Sequence, residues 1–282
     1  SDVPTLKRDP KLSVATVDTV YLFNMELDLR DKPTQVTAKD GSALPKNPLQ
    51  DVRVREAIDI ALDRPALAEI AMEGLGSPAN QLVTPTIAGF NKELPPIKPD
   101  IAKAKKLMAD AGYADGFKVT FSFTSDRLPG DRQVGTSVAQ MLARIGIEAV
   151  ANAQPAAVFF PARARAEYSL TMSGWGTLTG EANYTLSSLV HSNEPAKKLG
   201  AFNLLGYKNA EVDKLIEDAS VEMDEAKRNK MLSDVAAIVA KDRPRIAVTA
   251  IASAWAMQKD KVTISPRVDE DTLAMDIKPV KK

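Results

Sequence analysis

Apolar residues recur along this chain in two alternating periods, and together they predict an α/β protein. A β-rich run, VATVDTVYLFNMEL, lies within Leu12 to Leu29 and draws apolar bulk from Val14, Val17, Val20, Leu22 and Phe23. The polar segment Arg30 to Pro48 carries Pro33, Gly41, Pro45 and Pro48 and reads as an exposed connection. From Asp51 to Arg64 the period becomes helical, with Val54, Ile58, Ala61 and Leu62 on one face. Pro65 fits the first turn of a following helix, Ala66 to Glu73, which stops at Gly74.

Residues Ser77 to Pro99 are rich in Pro and Gly and predict a long ordered loop. A helix follows with Ile101, Ala104, Met108 and Ala111 in register, ending at Gly112. FKVTFSF (Phe117 to Phe123) alternates without a break and is the clearest strand. Helix Val134 to Ile145 and a strand from Ile147 to Ala151 complete a strand–helix–strand unit, the mark of a βαβ crossover. Asn209 is placed to cap a helix with Val212, Leu215, Ile216 and Ala219 inward, and a second helix runs from about Asp224 to Lys241. The β-like IAVTAIASAWAM (Ile246 to Met257) and a tail ending in Leu273 to Ile277 close the chain.

Composition narrows the function classes. Lys plus Arg equals Asp plus Glu at 37 each, so no net field favours a polyanion, and nucleic acid is not expected as a partner. With no cysteine there is no disulfide frame, thiol nucleophile or thiolate metal site. No window approaches ~18 continuous apolar residues, so no membrane insertion is expected, and SDVPTLKRDP at the start lacks the apolar core of a signal peptide.

Nothing in the sequence asks for catalysis. There is no Gly-x-Ser-x-Gly elbow, phosphate loop or dinucleotide fingerprint. The single histidine, His191, sits in the polar stretch HSNEP and is expected to be solvated; Asp269, Glu270 and Asp271 read as a solvated turn. No cofactor and no metal are expected. The binding candidates lie elsewhere. Tyr168 to Met172 predicts a short strand running into Ser173-Gly174-Trp175-Gly176, where small residues would let the backbone bend and leave one indole face open. An indole is a rigid apolar plane with one N–H donor, suited to a ligand cleft, and equally suited to a strand-end core.

The order DVRVREAIDIALDR, GLGSPA, Pro85, Gly89-Phe90 and AKKLMADAGYADGFKV resembles the C-terminal half of the family 5 extracellular solute-binding proteins of ATP-driven importers, the dipeptide and oligopeptide type. The resemblance runs from about Leu12 to Ile277. It implies one α/β lobe of a type II periplasmic-binding-protein-like fold, with terminal β-segments belonging to a second lobe. Residues 1–48 would be a crossover strand and connection, 49–243 the complete lobe, and 244–282 the return strands. Family members are about twice as long, so this chain is expected to hold one side of a two-lobed trap and to bind solute weakly or not at all on its own.

The resemblance also implies a monomer acting outside the cytoplasm, periplasmic, with a small-molecule or peptide ligand and membrane permease subunits as partners. Gly174-Trp175 matches a cleft-wall dipeptide of the peptide receptors. Those receptors place an aspartate three residues after the tryptophan, where it pairs with a peptide's amino terminus; here that position is Leu178, which cannot. Gly176, Thr177, Thr179 and Glu181 follow in a hydroxyl-rich GTLTGEANYT that would suit a polyol, an opine-like compound or another polar solute. Glu181 is read either as a ligand contact or as stabilising the next helix's first turn. Asn24, after Leu22-Phe23, matches a Phe-Asn near the hinge and would either contact ligand or bridge the crossover strands. Trp255, Phe159 and Phe160 are assigned to the core, with one phenylalanine open to the cleft as the alternative, and Arg53 and Arg55 to surface or interlobe ion pairs. Two rivals stay open: a hydrolase with its active residues in an absent half, and the ligand-sensing domain of a signalling protein.

Overall fold

The computed structural model describes residues 2–280. After a short helix α1 (Val3–Arg8), strand β1 (Leu12–Leu27) runs the width of the molecule, followed by β2 (Val36–Thr37). Helix α2 (Val52–Ala61) begins where the Asp51 carboxylate accepts the Arg53 amide at 2.9 Å. Val54, Ile58, Ala61 and Leu62 are all fully buried, as their spacing predicts. The next segment departs from a plain helix. A single turn α3 (Arg64–Ala66) passes into a π-turn, Leu67–Ala71, in which the Met72 amide reaches back to Leu67 O, before Gly74 turns the chain at φ +74°.

Strand β3 (Gly76–Pro78) opens the proline-rich loop, and α4 (Ile101–Asp110), β4 (Phe117–Thr124), α5 (Asp131–Ala143) and β5 (Ile147–Gln154) follow. β4 and β5 pair in parallel from Phe117↔Ile147 to Thr124↔Gln154, so the crossover unit read from the sequence forms. The chain continues through α6 (Ala156–Ala164), β6 (Leu170–Gly176), α7 (Ala182–Leu189), α8 (Ala210–Val221), α9 (Glu225–Asp242) and β7 (Arg245–Gln258), ending in the small hairpin β8 (Val262–Ile264) and β9 (Ile277–Pro279).

One seven-stranded mixed sheet organises these elements. Its order is β5-β4-β6-β1-β7-β3, with β2 pairing to the start of β4. β1 is antiparallel to both neighbours, facing β6 from Tyr21↔Gly176 to Leu27↔Leu170 and β7 from Leu12↔Gln258 to Glu26↔Arg245. On one face α2, α4 and α5 bury Phe117, Phe121, Phe123, Val134, Val138 and Leu142 against the sheet. On the other, α7, α8 and α9 close over Val20, Leu186, Val212, Ile216, Leu232 and Val235. At ~25 cal/mol per Å² of apolar surface removed from water, these two layers are the main source of stability.

Several side chains sit differently from their sequence reading. Arg55 is buried rather than superficial; its guanidinium donates to the carbonyls of Leu49, Gln50 and Asp242 and ties α2 to the end of α9. Arg53 does form the surface pair, with Asp51. His191 is fully buried instead of solvated, because the 191–200 loop folds back over it. Trp255 is only half-buried, on the outer stretch of β7, where its Nε1–H donates to the Thr272 hydroxyl.

Candidate functional site

The end of β6 and the residues packed on it form the candidate ligand wall. β6 does not bend at its glycines; it stays paired with β1 as far as Gly176. The glycines serve close approach instead. A Cβ on Gly174 would stand 2.0 Å from Leu128 Cδ1, and one on Gly176 would stand 2.4 Å from the Tyr21 ring. Absent side chains at 174 and 176 therefore make room for Leu128 and Tyr21 on either side of Trp175.

Neighbouring side chains, not chain curvature, set how the indole is presented. Trp175 is stacked on Tyr184 of α7 with centroids 5.3 Å apart and meets the edge of Phe202 at 5.3 Å, while its Nε1–H donates to Thr185 Oγ1 at 2.9 Å. The half-buried ring is held on three sides.

Beside it opens a cavity of about 160 Å³ lined by Asn24, Phe160, Ser173, Gly174, Trp175, Leu189, Phe202 and three arginines: Arg127, Arg163 and Arg245. Its floor is a buried charge cluster. Glu26 of β1 lies between Arg163 and Arg245, each at 2.8 Å. Burial alone would raise the Glu26 carboxyl, but the two guanidiniums more than offset it and hold it below the ordinary glutamate range. Burial also lowers Arg245, to about 10. Arg245 is fully engaged, donating further to Leu189 O, Asn24 Oδ1 and Phe202 O. Arg163 is not; its Nε is buried with no hydrogen-bond partner among the described residues. Arg127 anchors one nitrogen on Gly174 O at 2.8 Å, lies over the Phe160 ring at 5.1 Å, and forms no ion pair among the described residues. Two arginines against one carboxylate on the floor, plus Arg127 at the rim, leave the cavity electropositive.

Asn24 (2% exposed) accepts from Arg245 and donates to Ser173 O at 3.4 Å, so it bridges β7, β1 and β6 across the cavity floor. Gly174 and Trp175 line the cavity with it. Thr177 is buried behind the wall, its amide on Val20 O and its hydroxyl 2.8 Å from Thr185 Oγ1. Thr179 is exposed on the turn before α7. Glu181 takes the N-cap position of α7 without a capping bond, and its carboxylate pairs with Arg228 of α9. Leu178 is 61% exposed. Of the two phenylalanines, Phe159 is core and Phe160 faces the cavity.

Sequence reasoning missed Glu26, Arg127, Arg163, Phe202 and Arg245. One signal was present: a glutamate in the apolar run YLFNMEL must find cationic partners if that strand is buried.

The fold is that of one lobe of a periplasmic-binding-protein-like structure. The family model described as bacterial extracellular solute-binding proteins, family 5 Middle, matches residues 1–197, and the chain belongs to that family. The glutathione-binding protein GsiB of Escherichia coli K12 is 30% identical over 233 residues, covering 81% of this chain and 45% of that protein. HbpA2 from Haemophilus parasuis superposes with a TM-score of 0.80 at 20% identity, over 99% of this chain and 52% of that one. The periplasmic binding protein DppA from Helicobacter pylori, solved with the peptide STSA, gives 0.77 at 23% identity over 93% and 47%. This chain thus spans about half the length of the curated relatives it matches. No helix among the described residues is long and apolar enough to cross a membrane.

Proposed function

We propose that the protein captures a small polar solute for an ATP-driven importer, acting outside the cytoplasm as a monomer and handing the solute to membrane permease subunits without chemistry or cofactor. Family membership and the names of the relatives support this reading. In it, residues 49–243 are the complete lobe, and the segments 1–48 and 244–282 belong to the passage toward a second lobe. The outer part of the β1–β7 ribbon, Leu12–Asp18 against Ala252–Gln258, runs beyond the buried sheet and fits such a crossover. Hinge closure about it would bring an opposing wall over Trp175.

The observation that carries the ligand assignment is the unpaired Arg127 beside the orphan Arg163 Nε. A buried donor without an acceptor costs about 1–3 kcal/mol, which an anionic group of the solute would relieve. Trp175, Gly174 and Asn24 form the wall against which it docks. Leu178, where the peptide receptors of the resembled family carry an aspartate, offers nothing to an ammonium group, and Glu181 is held by Arg228. The solute is accordingly anionic and not held by an amino terminus at Leu178; peptide-like anions such as the one in GsiB's name belong to that class.

The test is a thermal-shift screen of the protein against glutathione, di- and tripeptides, opines and neutral sugars, with Arg127→Ala alongside. A ligand that binds only the folded state raises Tm with its concentration over Kd. Stabilisation by an anionic solute that Arg127→Ala removes is the expected result. Stabilisation by neutral sugars alone, or turnover of a chromogenic ester panel, would overturn the reading.

A further inference from the structure

A second site stands apart from the cavity and does not depend on the solute-capture reading. We propose that His191, Glu194 and Glu217 form a binding site for a divalent transition metal of the zinc class. His191 follows α7, Glu194 stands at the start of the next turn, and Glu217 projects from α8; one ligand atom from each lies within 4.8 Å of the others. Imidazole nitrogen and carboxylate oxygen together suit zinc and its neighbours, with water filling the open positions.

The histidine carries the argument. Its ring is fully buried, and Nδ1 lies 2.7 Å from Ser192 O. A carbonyl oxygen only accepts, so Nδ1 must be the donor. In the neutral ring Nε2 is then a lone pair, and what it faces at 3.1 Å is Glu217 Oε1, a second acceptor. The other group near the ring is also an acid, Asp213, at 3.7 Å. A second ring proton would satisfy this pair, and so would a metal ion bound between the nitrogen and the carboxylate; the second carboxylate, Glu194, within reach of both favours the ion. A backbone carbonyl fixing the far ring nitrogen is also the arrangement that orients metal-bound histidines.

At present Lys197 supplies part of that charge, with its ammonium 2.8 Å from Glu217 and 3.1 Å from Glu194. Its side chain is 51% exposed and can swing into solvent. Metal entry thus displaces an ammonium from two carboxylates and replaces it with an ion that also satisfies Nε2. The bound ion would pin the 191–200 loop to α8.

The chain's single histidine makes the test direct. In tag-free, chelator-treated protein, long-range ¹H–¹⁵N spectra show one imidazole ring, and Zn²⁺ is titrated in. The expected result is a saturable shift of its Nε2 resonance. Glu194→Gln and Glu217→Gln should each weaken binding by about tenfold or more, and Lys197→Met should tighten it. Glu194 is on the surface, so its variant keeps the test valid if Glu217→Gln misfolds. An imidazolium ring that holds both protons under excess Zn²⁺, in wild type and Lys197→Met alike, would overturn the proposal, as would unchanged affinity in Glu194→Gln.

Discussion

The Thr185 hydroxyl accepts the Trp175 indole N–H at 2.9 Å and meets the Thr177 hydroxyl at 2.8 Å. Through this one oxygen, α7 sets the angle of the ring that walls the candidate cavity. Thr185→Val keeps the shape and removes both bonds, leaving a half-buried indole N–H and a buried hydroxyl without partners. The expected cost is about 1–3 kcal/mol in urea unfolding, with a shifted tryptophan emission in the native state. An unshifted spectrum would mean that the contacts with Tyr184 and Phe202 suffice to hold the ring.

The glycines flanking Trp175 give a second test. Gly174→Ala drives a methyl into Leu128, and an expected loss of about 1–3 kcal/mol follows from overpacking. Leu128→Ala in the same chain should recover part of that loss. A coupling energy near zero in the double-mutant cycle would show that the clash is relieved elsewhere.

Glu26 should dominate the acid limb of stability. Its folded carboxyl lies below the ordinary range, so its contribution is complete above the unfolded value near 4.5 and disappears as pH falls through the folded value. Glu26→Gln leaves Arg245 and Arg163 buried without a carboxylate and should cost about 3–5 kcal/mol at neutral pH. Melting temperature against pH, compared between the two proteins, reads both effects: the variant's curve should be flatter on the acid side.

Leu178→Asp should change stability by less than about 0.5 kcal/mol because the side chain is exposed. Calorimetric titration with dipeptides, before and after, shows whether a carboxylate at this position creates affinity for a free amino terminus. No gain would place the ammonium subsite elsewhere on the wall.

The fold was legible wherever one periodicity ran uninterrupted. Val54, Ile58 and Leu62, or Phe117 to Phe123, declare their buried faces because packing and spacing agree. Gly174-Trp175-Gly176 was harder: glycine reads as a bend when isolated in sequence, whereas here it answers to Leu128 and Tyr21, which arrive from distant segments. His191 was misread for a similar reason, since a polar pentapeptide says nothing about the loop that covers it. The arginines of the cavity lie on a loop, on α6 and on β7, and only the sheet order brings Arg163 and Arg245 to Glu26. Local sequence holds no record of that meeting.

That same meeting has a consequence for synthesis. β1 is made well before β7, so its β7 edge has no partner until Arg245 to Gln258 has left the ribosome. At 5–20 residues per second the wait is roughly 10–50 s. During it the apolar segment YLFNMEL is a ready template for another chain's strand. The Glu26 charge, still without its arginines, is then a gatekeeper against such pairing. When Arg245 emerges, the guard becomes a fastening: the residue that kept the nascent strand apart is the one that joins it to β7.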